Sequence, residues 1–264
     1  MNEKNAAVFV LRTGAIVEIV LNRPQVLNAA NVQLATDFLS VCQRIAADPG
    51  VRCVVVRGEG KAFMAGGDLA EFTADLEHAA DVADTLIKPL NEAVTILSQM
   101  PAPVIGSVHG AVAGAGVSLA LACDLLIAAD NTKFNLAYSK IGGSPDVSGS
   151  WSLPRAVGLH KAMEITLLSE TFDVQEAHRL GLVYRVVSSA ELAQETMSLA
   201  DRLANGPTRS FGVVKRLFRN SFDRNLNSQL EAERLGFREC AETNDFREGV
   251  VAFHQRRTPL FTGS

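Results

Sequence analysis

Two apolar runs constrain this chain more than any other feature. Residues 51–58 read VRCVVVRG and residues 103–110 read PVIGSVHG. Neither alternates apolar with polar, so neither suits a sheet with one face open to water. A β-branched run without alternation is the pattern of a strand covered on both sides. Each run is followed by glycines and then by helical spacing: EGKAFMAGGDLAEF (59–72) after the first, AVAGAGVSLALACD (111–124) after the second. Residues 79–99 read as a further helix, closed by Pro101 and Pro103, and DLLIAADNTKFNLAY (124–138) offers a third strand and a fourth. Strand, helix, strand, helix, strand in this order implies an α/β fold with crossover connections.

Upstream, AVFVLRTGAIVEIVLNRP (7–24) reads as two β runs about a Thr13-Gly14 turn, ended by Pro24. Residues 28–50 carry helical spacing at Val32, Ala35, Phe38, Leu39, Cys42, Ile45 and Ala46, stopping at Asp48-Pro49-Gly50. From Trp151 onward the pattern is nearly all helical. The expectation is a β/α core over residues 1–195 and a helical region over 196–264.

Composition narrows the classes of function. With 47% hydrophobic and 20% charged residues, a large core is expected and disorder is not. A formal net charge of −4, with both signs intermixed, argues against nucleic acid as the main partner. Cys42, Cys53, Cys123 and Cys240 are widely spaced and form no CxxC or Cys/His cluster, so buried thiols are expected rather than a metal site or a disulfide framework. The opening MNEKNAAVFV lacks the pattern of a signal peptide, and the longest apolar stretch, 117–129, is broken by Ser118, Cys123 and Asp124. A cytoplasmic protein without a membrane span is the expectation.

The glycine loops are the first candidates for chemistry. GAVAGAG (110–116) supplies GxG but has Leu119 where a dinucleotide fingerprint needs its third glycine. Close helix–strand packing is the plain alternative. If the loops 63–69 and 110–116 follow neighbouring parallel strands, however, two backbone N–H groups converge, which is the arrangement of an oxyanion hole. A third candidate is Asp146, the one ionisable group in GGSPDVSGSW (142–151). It is either a turn or helix-capping acid, which such loops favour, or a catalyst.

LNRPQVLNAA (21–30), KAFMAGGDL (61–69), residues 103–129 and FDVQEAHRLGLVYRVV (172–187) together resemble the enoyl-CoA hydratase/isomerase (crotonase) superfamily, in order from about residue 8 to residue 261. The resemblance implies a spiral of ββα units with a helical C-terminal trimerisation region, a homo-trimer or hexamer, and an acyl-CoA thioester as substrate. It implies backbone donors for the thioester oxygen at Gly67 and Ala115. It also places Ala65, Gly66, Asp68 and Leu69 along the coenzyme A channel, with Arg23 near the phosphates. No metal and no cofactor beyond the coenzyme A of the substrate is implied.

Hydratases of this superfamily use two glutamates, and the matching positions here hold Ser118 and Tyr138. Simple hydration is therefore not expected, although a hydratase with atypical residues and a thioester hydrolase stay as alternatives. Asp146 matches the acid of two other branches. One moves the double bond of 3-enoyl-CoA to the 2-position or isomerises a ring 1,2-epoxide of phenylacetyl-CoA. The other displaces chloride from an aromatic thioester and needs a histidine near Asn91, but none lies between His78 and His109. The isomerase branch is the nearer resemblance, through GAGxxLALxxD (114–124), AYSKIG (137–142), SPD (144–146), SWSLPR (150–155), NSQLEAER (227–234) and residues 245–263. It implies Asp146 as the catalytic acid–base, with Tyr138 shaping the acyl pocket. A non-catalytic scaffold on the same fold is the remaining alternative, which the intact glycine loops and Asp146 oppose.

Overall fold

The computed structural model describes residues 6–264. β1 (Val8–Thr13) and β2 (Ile16–Leu21) form a hairpin, Thr13 facing Ile16 across a turn with Gly14 at φ 59°. β3 (Cys53–Gly58), β4 (Val104–Val108) and β6 (Leu125–Ala129) follow β2 in one sheet, all parallel. β9 (Arg185–Val187) closes the far edge, giving the order β1-β2-β3-β4-β6-β9. A second sheet holds β5 (Ala111–Ala113), β7 (Lys133–Asn135) and β8 (Phe172–Asp173).

The two apolar runs are β3 and β4, and both faces of each are covered. On one side Val54, Val56, Val104 and Val108 join a core built with α1 (Val32–Ala46), α3 (Ala79–Gln99) and α4 (Ala115–Ala122). On the other, Cys53, Val55, Ile105 and Ile127 meet Leu192, Leu199, Ala200 and Ala204 of α8 (Leu192–Ala204). The expected division at residue 195 falls inside α8. α1 starts where the Asn31 side chain accepts the Leu34 N–H at 2.9 Å. It buries Leu34, Ala35, Phe38, Val41, Cys42 and Ile45, a stripe at i, i+3, i+4 spacing.

From Trp151 onward the chain is nearly all helical, as expected, with two interruptions. The region after Trp151 is not continuously helical: β8 and β9 flank α7 (Val174–Arg179), so residues 172–187 return a strand to the main sheet. The first helical stretch of this region is interrupted at Gly158, φ 80°, giving α5 (Gly149–Val157) and α6 (Leu159–Leu168). Glycine reaches such a positive φ without steric cost, so it readily ends a helix.

The helices α9 (Thr208–Ser221), α10 (Leu226–Ala241) and α11 (Asn244–Gln255) complete the chain. α9 is fastened to the core through Asp124, whose carboxylate lies 2.8 Å from both Lys215 Nζ and an Arg219 nitrogen. Lys215 also donates to the carbonyls of Leu97 and Ala102. The outer faces of these helices leave Phe218, Phe222, Leu226, Phe237 and Phe253 exposed, Phe253 by 82%. Cys42, Cys53 and Cys123 are buried, and burial pushes the thiols of Cys53 and Cys123 up to about 12. Among the described residues no helix is long and apolar enough to cross a membrane, and no His/Cys/Asp/Glu cluster has metal-site geometry.

Candidate active site

The two glycine loops meet. A Cβ built on Gly66 would lie 3.2 Å from the Ala113 carbonyl and 3.6 Å from Gly114 Cα, and one on Gly116 would lie 2.3 Å from the Met64 carbonyl. Side chains at these positions would hold the loops apart. Gly66 and Gly114 also have φ of 96° and 50°, a region that L side chains rarely enter. Isolated bridges continue the contact: Met64 pairs with Val112, and Ala30 with Gly67.

The second bridge decides where the Gly67 amide points. Ala30 N–H donates to Gly66 O at 2.7 Å, and Asp68 N–H donates to Ala30 O at 2.8 Å. Groups of residues 66 and 68 thus face Ala30, and the Gly67 N–H faces the opposite way. Ala115 is the first residue of α4, where helix geometry leaves the N–H without an intrahelical acceptor. Neither amide has a hydrogen-bond partner among the described residues. The loops therefore bring together two backbone donors on adjoining turns.

Asp146 answers the question that its loop raised. It does not cap α5: the capping position is Ser148, and no side chain caps that helix. Instead Asp146 Oδ1 accepts a hydrogen bond from the Tyr138 hydroxyl at 2.5 Å. The Tyr138 hydroxyl lies 3.1 Å from Ser118 Oγ. With the phenol proton committed to Asp146, the serine is the donor of that second bond. The two positions matching the hydratase glutamates are thus joined to Asp146 in one chain, Ser118 to Tyr138 to Asp146.

The electrostatics are asymmetric. Burial raises the Asp146 carboxyl above the usual carboxylate range, against the lowering effect of the Tyr138 hydrogen bond. Burial, then the Asp146 charge, pushes the Tyr138 phenol far up, so it stays a proton donor. A raised acid makes a stronger base once it ionises. The backbone after Asp146 is held in an uncommon form, with Val147 at φ 46° and Ser148 at φ 73°, and Val147 is 1% exposed. A β-branched residue in the left-handed region persists only where packing enforces it.

The other expected site residues divide. Ala65 and Gly67 are half-buried, and Leu69 is 49% exposed at the start of α2 (Leu69–Ala74). Arg23 and Asp68, both expected along the coenzyme A channel, pair with each other at 2.9 Å. Arg23 also donates to the Ala29 carbonyl at 2.6 Å. Arg23 thus ties the 21–30 loop to the glycine loop. His109, just beyond β4, is not one of these expected residues, and its Nε2 lies 2.9 Å from the Gly60 carbonyl.

Three residues of this region escaped the sequence reading. Asn28 is fully buried at φ 57°, and its amide reaches the carbonyls of Glu59, Ala62 and Phe63. Gly149 lies against Ser118, since a Cβ there would come within 2.4 Å of Ser118 Oγ. From the sequence, Ser118 stands only as a missing glutamate. A Ser and a Tyr replacing both carboxylates at once was the available signal, because hydroxyls at paired positions can bond to each other.

Comparison with known proteins shows the family and the fold. The family model described as Enoyl-CoA hydratase/isomerase matches residues 12–264. The chain is 36% identical to the 1,2-epoxyphenylacetyl-CoA isomerase of Escherichia coli (strain K12), over 94% of this chain and 95% of that one. It is 32% identical to the trans-2-decenoyl-(acyl-carrier-protein) isomerase of Streptococcus mutans serotype c, over 94% and 95%. The crystal structure of an enoyl-CoA hydratase from Polaromonas sp. JS666 superposes with a TM-score of 0.92 at 33% identity, covering 97% of this chain and 99% of that one. Both reactions occur among the relatives, so the choice between them rests on the site.

Proposed function

The chain belongs to the enoyl-CoA hydratase/isomerase family, and on that premise we propose that it is an acyl-CoA isomerase with Asp146 as its single acid–base. One observation carries this reading: Asp146 is the one carboxylate in the hydrogen-bonded set Ser118–Tyr138–Asp146. Adding water across a double bond calls for a base for the water and an acid for carbon. Moving a double bond calls for one group that takes a proton and returns it.

The Asp146 carboxylate removes a proton from C2 of a 3-enoyl thioester. The electrons pass to the thioester oxygen, giving a dienolate that the Gly67 and Ala115 N–H groups hold. Asp146 then returns the proton to C4, and the new double bond lies between C2 and C3. Removing one such backbone donor typically costs about 3 kcal/mol in the barrier, so the two together account for a large part of the acceleration. The thioester is the electron sink, and the step draws on no further cofactor. A ring epoxide of an aromatic acetyl thioester is the second substrate this reading admits, since Asp146 would move the proton there too; the 36% identical relative is named for that reaction. The exposed aromatic residues of α9, α10 and α11 are assigned to contacts between copies of the chain in a trimer or a hexamer.

The test offers purified protein 3-hexenoyl-CoA and 2-hexenoyl-CoA separately, with products followed by mass and ultraviolet absorbance. The reading expects conversion of the 3-enoyl ester without mass change. Gain of one water by the 2-enoyl ester, with no isomerisation, would establish a hydratase, and release of free thiol a hydrolase.

A further inference from the structure

A groove of about 430 Å³ lies between α3, α5 and α9. It is lined by Thr95 and Ser98 of α3, Ser148 and Ser152 around the start of α5, and Arg219 and Asn220 of α9. Two features connect it to the site described above. Ser148 is the second residue after Asp146 and bonds to Ser152 at 3.2 Å. α3 runs from Leu86, the side chain nearest a Cβ on Gly67 at 3.7 Å, to Val94 and Ser98 in the groove wall. From Leu86 to Val94 the helix rises about 12 Å. The groove thus adjoins, along the chain, both the helix that passes the Gly67 loop and the segment that follows Asp146.

The lining mixes apolar walls, Val94 and Trp151, with polar side chains, and its charge is one-sided. No carboxylate lines it among the described residues, whereas Arg216 and Arg219 do. Arg219 uses only Nη2, toward Asp124 and the Ala122 carbonyl, and its Nε and Nη1 have no partner among the described residues. Arg155 stacks on the Trp151 wall at 4.0 Å, and its Nε is buried without a hydrogen-bond partner. Around the groove Arg155, Lys215, Arg216 and Arg219 pair, among the described residues, with Asp223, Asp124 and Glu239 alone. One cation is in excess. A wholly hydrocarbon chain would leave the serine, threonine and guanidinium groups without partners and displace their water.

We propose that this groove receives the far end of the acyl group, and that this end carries an anion, a carboxylate at the terminus of a dicarboxylic acid's monothioester. The proposal rests on the acyl-CoA reading above and deepens it by naming the substrate class. Arg219 keeps an unused N–H on each edge of its guanidinium, and a carboxylate can accept a charge-assisted hydrogen bond from one of them.

The experiment measures equilibrium binding of unreactive saturated esters by calorimetry, which is independent of turnover. Adipoyl-, suberoyl- and sebacoyl-CoA monothioesters are compared with hexanoyl-, octanoyl- and decanoyl-CoA. At the length that reaches the groove, the diacid ester binds tighter than its monoacid partner by about tenfold or more. Arg219→Gln brings that ratio toward one. Since Arg219 also holds Asp124, a second variant, Asn220→Asp, alters an exposed groove residue and reduces the same ratio by repulsion. Monoacid binding with no diacid preference at any length overturns the groove proposal alone, as does a preference that survives both substitutions. Failure of every ester to bind overturns the acyl-CoA reading as well.

Discussion

Tyr138→Phe tests the link between the phenol and the proposed base. The change removes one oxygen and keeps the ring that fills the space beside α4. Asp146 loses the 2.5 Å hydrogen bond that favours its charged form, while the burial that disfavours that form stays. A hydrogen bond to a charged group contributes about 1.5–3 kcal/mol, and Asp146 is only half-buried, so water recovers part of it. The lower figure corresponds to roughly one pH unit. The sign is fixed: a base that is harder to ionise moves the acid limb of kcat/KM to higher pH. The assay is the pH profile of kcat/KM on 3-hexenoyl-CoA, for wild type, Tyr138→Phe and Ser118→Ala. The serine variant keeps the phenol and shifts the limb less. At high pH, where the carboxylate is ionised in every variant, any remaining loss in kcat measures how far the phenol also orients Asp146. An acid limb that stays in place, or moves to lower pH, refutes the link.

Other expectations follow from the same contacts. Gly116→Ala drives a Cβ to 2.3 Å from the Met64 carbonyl, and forced overpacking of this kind costs about 3 kcal/mol. For a chain of this size that lowers Tm by roughly 6–12 °C. Gly142→Ala, with nothing within 4 Å of its Cβ and φ 69°, meets only the backbone cost and serves as the contrast; equal Tm losses in differential scanning fluorimetry would contradict the packing argument. Asp146→Asn changes stability with pH in a definite sense. The folded-state acid is raised above its ordinary value, so its contribution is most favourable at low pH, where it is protonated in both states. That contribution is lost as pH rises through the folded value. The variant therefore has the higher Tm at pH 8, and the difference closes toward pH 3. A wild type more stable than the variant at pH 8 would reverse the assignment of burial as the dominant cause.

The parts of the fold legible in the sequence were those decided by local chemistry. β3 and β4 announced themselves because a strand covered on both faces must be apolar throughout. α3 was bounded by the prolines after it, and the first hairpin by Thr13-Gly14. What escaped was decided at a distance. β9 is three residues long, and its strand character comes from an open edge on β6. β5 lies inside a glycine-rich stretch, and pairing with β7 makes it a strand. Within the site, the convergence of two glycine loops was readable, because loops after neighbouring parallel strands end on the same side of a sheet. The contact of Tyr138 with Asp146 was not, because no periodic pattern runs through the residues that join them. Arg23 and Asp68 were read as two ligand-facing residues; nothing local reveals that they pair with each other.

The most direct test of the account is Asp146→Asn, assayed for turnover of 3-hexenoyl-CoA and for binding of hexanoyl-CoA in parallel. The substitution keeps the shape of the side chain and an acceptor for Tyr138, and removes the base. Isomerisation should fall by roughly a thousandfold, with the binding constant of the unreactive ester unchanged. Turnover that survives the substitution would contradict the claim that Asp146 carries the proton.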